Sequence, residues 1–280
     1  MTKEGEAKIW EINNYNAPVK SFTSGKPGSI NAMKIIDDAM YLGSNNCIEI
    51  YETQNFTLID KIGAHTGWIS SVLKFDNYLI SGGYDKTVNI YDVTKYYKIL
   101  KTLTGHSDYV FALTIKNNCL FTGSNDHTIR MWDIAQDFKL IQTLIGHTGY
   151  INCLVSNYAF VISGSSDTTV KIWDENENYK LHKTLTNHTK YINYLITEGP
   201  FLYSAAFDNT INIWNICTDF TFITTLTGHT SSVSCLGIKD NLLYSCSNDK
   251  TVKIWDLDND YKLVNTVTGY GGIVWCLAIK

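Results

Sequence analysis

The chain has 280 residues, of which 44% are hydrophobic, 18% charged and 13% aromatic, enough apolar material for a large core and far from a disordered profile. The formal net charge is −4, and its 22 lysines and single arginine, Arg130, are scattered along the chain. That excludes the basic stripe of a nucleic-acid surface.

The opening MTKEGEAKIW has neither an apolar signal core nor a mitochondrial pattern, and no stretch approaches the roughly 18 apolar residues of a membrane span, so no membrane partner is expected. Seven cysteines form no Cys-x-x-Cys pair, which points to reduced thiols in the cytoplasm, with the nucleus as the other compartment. Three prolines and no Gly-, Ser- or Pro-rich run leave no linker, so residues 1–280 are read as one domain.

In chain order the first elements are GEAKIWEI, which reads as the third strand of a unit, and PVKSF, its fourth. A full unit follows over roughly Gly25 to Lys61, and units then recur: a pattern ending in Trp-Asp or its variants falls at Trp10, Tyr51, Tyr91, Trp132, Trp173, Trp214 and Trp255. A second landmark, Tyr15, Phe56, Tyr97, Phe138, Tyr179, Phe220 and Tyr261, repeats at 41 residues without exception. Within one unit YINCLVS alternates, AFVISGS is a short apolar run, TVKIWD alternates again and YKLHKTL follows a polar turn. Four strands per unit of about 41 residues predict an all-β propeller. The final segment, GIVWCLAIK, reads as a first strand for the N-terminal unit. The expected architecture is therefore seven-bladed, closed by N- and C-terminal strands in one shared blade. That blade is short of about six residues of its second strand, so the chain is expected to be a piece of a longer protein.

The pairs Gly105-His106, Gly146-His147 and Gly228-His229, each followed about 26 residues later by Trp-Asp, resemble the WD-repeat (WD40) propellers over essentially the whole chain. Stretches such as TLTGHSDYVFAL look most like the propellers carried by myosin heavy chain kinases, TRAF-type ubiquitin ligases and F-box proteins.

The stretch SGSSDTTVKIWD, with His147 upstream, offers serine, histidine and aspartate together. A catalytic triad needs one copy in one special environment. Here the set recurs five times with constant gaps: His65, Ser81, Asp85, Tyr91; His106, Thr122, Asp126, Trp132; His147, Ser163, Asp167, Trp173; His188, Ser204, Asp208, Trp214; and His229, Ser245, Asp249, Trp255. The donor and acceptor inventory lets an indole N–H, a hydroxyl, an imidazole and a carboxylate link in a chain, and the resemblance implies that order. The sets are read as framework. The glycines beside them lack the Lys-Ser/Thr of a phosphate cradle, and the histidines lack zinc spacing, so no catalytic residue, metal or cofactor is expected. In the first full unit Leu42 replaces the serine and no histidine is present, so packing alone is expected to hold it.

Function is then expected on the surface. The resemblance implies partner contacts at the residues flanking the opening Val or Ile of each first strand and at the one before the turn aspartate. Here those are Trp68, Ser70 and Tyr84; Tyr109, Phe111 and Asn125; Tyr150, Asn152 and Ser166; Tyr191, Asn193 and Phe207; Ser232, Ser234 and Asn248; and Ile273 and Trp275. Aromatics beside Asn and Ser match the composition of binding hot spots. No arginine is among them, which disfavours a phosphopeptide and favours another protein or peptide. The expectation is a noncatalytic interaction scaffold, the targeting domain of a larger kinase or ubiquitin ligase; the alternative is a stand-alone adaptor that uses the rim.

Overall fold

Alternating and continuous apolar segments sort into different places in each unit. The computed structural model describes residues 6–9, 20–23, 30–63, 65–270 and 272–274. In the blade spanning 151–185, the strands Ile151–Ser156, Phe160–Ser165, Val170–Asp174 and Lys180–Leu185 pair antiparallel in that order. The second strand is buried along its length after Phe160, because both its faces meet protein. That is why it reads as an unbroken apolar run. The fourth is exposed until Leu185, and its register shifts opposite Ile172 and Trp173, leaving His182 as the extra residue of a bulge. A bulged, lysine-bearing outer edge is poorly suited to pairing with another strand.

The same four-stranded sheet recurs over 30–63, 69–103, 110–145, 151–185, 192–226 and 233–267, and the first strands of successive blades stand side by side. Among the described residues the propeller therefore has six blades of four strands each, not the seven expected. The recurring landmark marks the end of a third strand, so spacing counts units of sequence, whereas a blade needs four paired strands. The first Trp-Asp variant, at Trp10, belongs to a unit whose described residues form the two-stranded pair Glu6–Ile9 and Lys20–Thr23. Of the C-terminal strand expected to complete it, the part from Trp275 onward lies outside the described residues.

The core lies between blades rather than within them. Ile162, Ile172 and Leu185 of the fourth blade pack with Ile192, Leu202, Trp214 and Phe220 of the fifth. Close approach explains the second-strand glycines: a Cβ on Gly164 would lie 2.6 Å from both Cys153 Sγ and Ile192 Cγ2. Three of the aromatics repeating at 41 residues are wedges between neighbours. Phe138 meets Tyr78 with centroids 5.5 Å apart, Tyr179 meets Phe121 at 5.0 Å and Phe220 meets Phe160 at 5.2 Å. Each wedge has positive φ, as does the residue before it in most blades, for example Asp137 and Phe138 at 54°. Burying such a ring contributes about 2 to 3 kcal/mol, which offsets most of the roughly 2 to 4 kcal/mol cost of two left-handed residues.

The aspartate of Trp-Asp caps the turn that follows it. Asp174 Oδ1 accepts from the Asn176 amide at 2.8 Å and Asp133 Oδ1 from that of Ala135 at 2.9 Å. Asn215 does the same for Cys217 at 2.9 Å, so a neutral acceptor suffices.

Candidate interaction site

In the fourth blade the hydrogen-bonded chain runs from Trp173 Nε1, which donates to Ser163 Oγ at 2.9 Å, through Ser163 to His147 Nε2 at 2.8 Å, and from His147 Nδ1 to Asp167 Oδ2 at 2.7 Å. Burial lowers the pKa of His147 and His229 against the pull of their aspartates, so these rings are neutral, with Nδ1 donating and Nε2 accepting. Burial alone would raise the carboxyls of Asp126, Asp167 and Asp208. Hydrogen bonds from the paired histidine, from a threonine hydroxyl two residues on and from backbone amides outweigh it and hold all three far below the usual range. Asp85 is lowered in the same way, and Asp249 comes down to about 2.

The other sets show the same assembly with two variations. His106 meets Asp126 and Thr122 at 2.7 and 2.8 Å, with Trp132 donating to Thr122 at 3.0 Å. His229 meets Asp249 and Ser245 at 2.7 and 2.8 Å, with Trp255 donating to Ser245 at 2.9 Å. In the second blade His65 meets Asp85 and Ser81 at 2.8 and 2.7 Å, and the Tyr91 phenol is held by Ser81 and Asn89. In the fifth His188 meets Asp208 and Ser204 at 2.9 and 2.6 Å, but the buried indole N–H of Trp214 has no acceptor. Each histidine of the five sets is closed off between a hydroxyl and a carboxylate, so none of the five is free to act on a substrate. Among the described residues no group of three or more His, Cys, Asp or Glu could hold a metal ion.

The first blade holds a network that the sequence reading missed. The Tyr51 hydroxyl donates to Glu49 Oε2 at 3.0 Å, and Glu49, almost fully buried, pairs with Lys61 on the fourth strand. Burial and the Glu49 charge push the Tyr51 phenol up to about 12, and the Glu49 hydrogen bond raises the Lys61 ammonium. The signal was local: in a strand, a glutamate two residues before a tyrosine lies on the same face. Leu42, in the serine position, is fully buried with Met40.

The end of the blades opposite the Trp-Asp turns carries the expected contact positions. In the second to sixth blades the residue before the opening Val or Ile is joined by a backbone hydrogen bond to the residue before the turn aspartate: Tyr84 N to Trp68 O at 2.8 Å, Asn125 N to Tyr109 O and Ser166 N to Tyr150 O at 2.9 Å, and Phe207 N to Tyr191 O at 2.8 Å. Asn248 and Ser232 are joined likewise at 2.9 Å. Four aromatics from the second and third blades form one continuous group. Trp68 lies 5.5 Å from Tyr84, Tyr84 stacks on Tyr109 at 4.5 Å and 14°, and Phe111 stands edge-on to Tyr84 at 5.3 Å. Trp68 is 51% and Tyr109 37% exposed. Tyr150 is exposed beside His127, and Tyr191 beside Phe207, whose ring carries Lys190 at 5.9 Å.

The polar positions are engaged within the protein. Ser70 donates to Gly82 O at 2.9 Å and to Val110 O, Asn152 donates to Ile192 O at 2.7 Å and to Ser166 Oγ at 3.0 Å, and Asn193 donates to Val233 O and Ser232 Oγ at 2.8 Å. Each of these three side chains ties its blade to the next. Ser234 bonds Asn248 Oδ1 at 3.0 Å, Ser232 is buried and Ile273 is exposed. The rings, not the amides and hydroxyls, face outward.

Six interlocked four-stranded sheets, a framework network in successive blades and a loop end rich in exposed rings define a repeat propeller of the kind used for protein interaction. The WD40 family, described as WD domain, G-beta repeat, matches five successive stretches, residues 56–92, 97–133, 138–174, 179–215 and 220–256, more than half of the chain. The chain belongs to that family. No curated protein matches it in sequence.

Proposed function

We propose that this propeller is a noncatalytic interaction module that binds a protein or peptide across the aromatic end of its second and third blades. The observation that carries the reading is the continuous group Trp68, Tyr84, Tyr109 and Phe111, assembled from two blades and partly open to solvent. Exposed clusters of rings of this kind mark binding surfaces, whereas apolar residues scattered singly are ordinary. The WD40 family is generally a noncatalytic scaffold, and the five repeated Ser or Thr, His and Asp sets among the described residues are spent on the framework. We read the module as a cytoplasmic or nuclear targeting domain or adaptor, on the sequence pattern of seven cysteines without a Cys-x-x-Cys pair.

A second reading, an adaptor that binds through its rim, draws on the exposed aliphatic pairs of the outer strands, such as Leu58 and Ile59, Ile99 and Leu100, and Leu263 and Val264. These are spread evenly and interrupted by bulges, so they offer no single patch. Capture of partners by the wild type and by a Trp68→Ala, Tyr109→Ala, Tyr191→Ala variant of unchanged melting temperature distinguishes the two. Loss of capture supports the aromatic end, and equal recovery of every partner sinks it.

A further inference from the structure

Resting on the aromatic end as the binding surface, we infer that its ledge on the second and third blades takes the guanidinium of an arginine in a basic peptide segment of the partner.

Three independent features converge there. The first is the ledge itself: Tyr84 and Tyr109 are stacked nearly parallel, Trp68 is exposed beside them, and no cation of the described residues lies over these rings. Phe207 differs, since Lys190 already sits over its ring. A planar guanidinium extends such a stack and gains from the negative ring faces.

The second is charge. The loops bearing the ledge carry Asp85, Asp108 and Asp126, three acids against two cations, Lys86 and the Arg130 guanidinium that packs on Gly105. Asp85 and Asp126 are held ionised by their histidine, threonine and amide donors, and the Lys86 ammonium is turned onto Ser107 O at 2.8 Å. The field at this end therefore favours a cation and repels a phosphate or an acidic peptide.

The third is an unanswered acceptor. In the fourth and sixth blades the residue before the turn aspartate bonds a polar side chain on the first strand: Ser166 with Asn152, and Asn248 with Ser234 at 3.0 Å. In the third blade that first-strand position is Phe111, and Asn125 Oδ1 has no donor. The residue that builds the ledge has removed the partner of the amide beside it. A guanidinium with five N–H groups can answer this enclosed acceptor once the rings beside it part. An aliphatic or aromatic side chain would supply no donor, and an ammonium would supply one without the planar match.

The test uses fluorescence anisotropy on the intact chain with labelled nonapeptides in which glycine alternates with arginine, lysine, glutamate or phenylalanine. The arginine peptide is expected to bind more tightly than the lysine peptide, the glutamate peptide not at all, and Trp68→Ala with Tyr109→Ala to weaken arginine binding at least about tenfold. Asn125→Leu, which keeps the rings, is expected to weaken it about threefold to tenfold. Binding of the arginine peptide that neither variant changes, or equal binding of the lysine peptide, overturns the inference. If only the phenylalanine peptide binds, and the double alanine variant abolishes that, the aromatic surface stands and the arginine site falls. If no peptide binds, both fall.

Discussion

The fourth blade and the first solve one problem with different residues. The fourth surrounds a buried indole with Ser163, His147 and Asp167, a chain of neutral donors ending in one carboxylate. The first has no histidine, puts Leu42 where the serine stands, and satisfies Tyr51 instead with Glu49, which is neutralised by Lys61. What is retained is the rule that each donor in the sheet interior meets an acceptor and that a charge entering the interior is matched. The residue motif is one way of obeying it.

The comparison can be broken most sharply at Asp167. Asp167→Ala strands the His147 N–H and is expected to lower stability by about 1 to 3 kcal/mol in urea or thermal unfolding, and a melt unchanged by it removes the network from the account.

Acid should separate the blades next. His147 and His229 have folded pKa values below the ordinary 6.5, so they bind a proton more weakly when folded; their contribution is present above about pH 6.5 and is lost as pH falls below it. The lowered aspartates act in the same direction further down, from 3.8 towards about 2 for Asp249. Melting temperature should fall in two stages on acidification. Asp167→Ala should flatten the lower stage, and a profile flat from pH 7 to 3 would refute the assignment.

A smaller effect is expected at Glu49→Gln, which keeps the Tyr51 acceptor while unpairing Lys61, a half-exposed ammonium that solvent can take over. The cost should be about 0.5 to 1 kcal/mol, and a loss as large as that of Asp167→Ala would mean the first blade depends on its ion pair more than exposure allows. The smallest difference concerns the indoles. Trp173→Phe loses a hydrogen bond that Trp214→Phe does not have to lose, so, volume effects being shared, the former should cost about 1 kcal/mol more. Equal losses would show that the Trp214 N–H is satisfied after all.

Much of this was legible in the sequence. Alternation located the strands, and the constant gaps among His147, Ser163, Asp167 and Trp173 predicted a set that the fold brings within hydrogen-bonding distance. The blade count was not legible, because the unit of Trp10 repeats the sequence signature of a blade, whereas its described residues form one strand pair, Glu6–Ile9 with Lys20–Thr23. The Glu49 and Lys61 pair was invisible to repeat reasoning since it occurs in one unit only. Nor could spacing separate Tyr109, which faces out, from Asn152 and Asn193, which reach sideways into the next blade; that depends on side-chain length against the gap between two first strands.

Those sideways reaches also decide how the molecule can give. Ser70, Asn152 and Asn193 fasten three seams at the aromatic end, but between the third and fourth blades the fastening position is Phe111, which cannot bond. That seam is fastened instead at its far end, where Lys116 donates to Asn157 O and Tyr158 O at 2.9 and 2.7 Å. Two leaves pinned along one edge swing about it. Thermal breathing of this propeller should therefore concentrate beside the ledge, with the earliest amide exchange of the inner strands at Val110 and Ile151, where a guest inserting a side chain would have least to push apart.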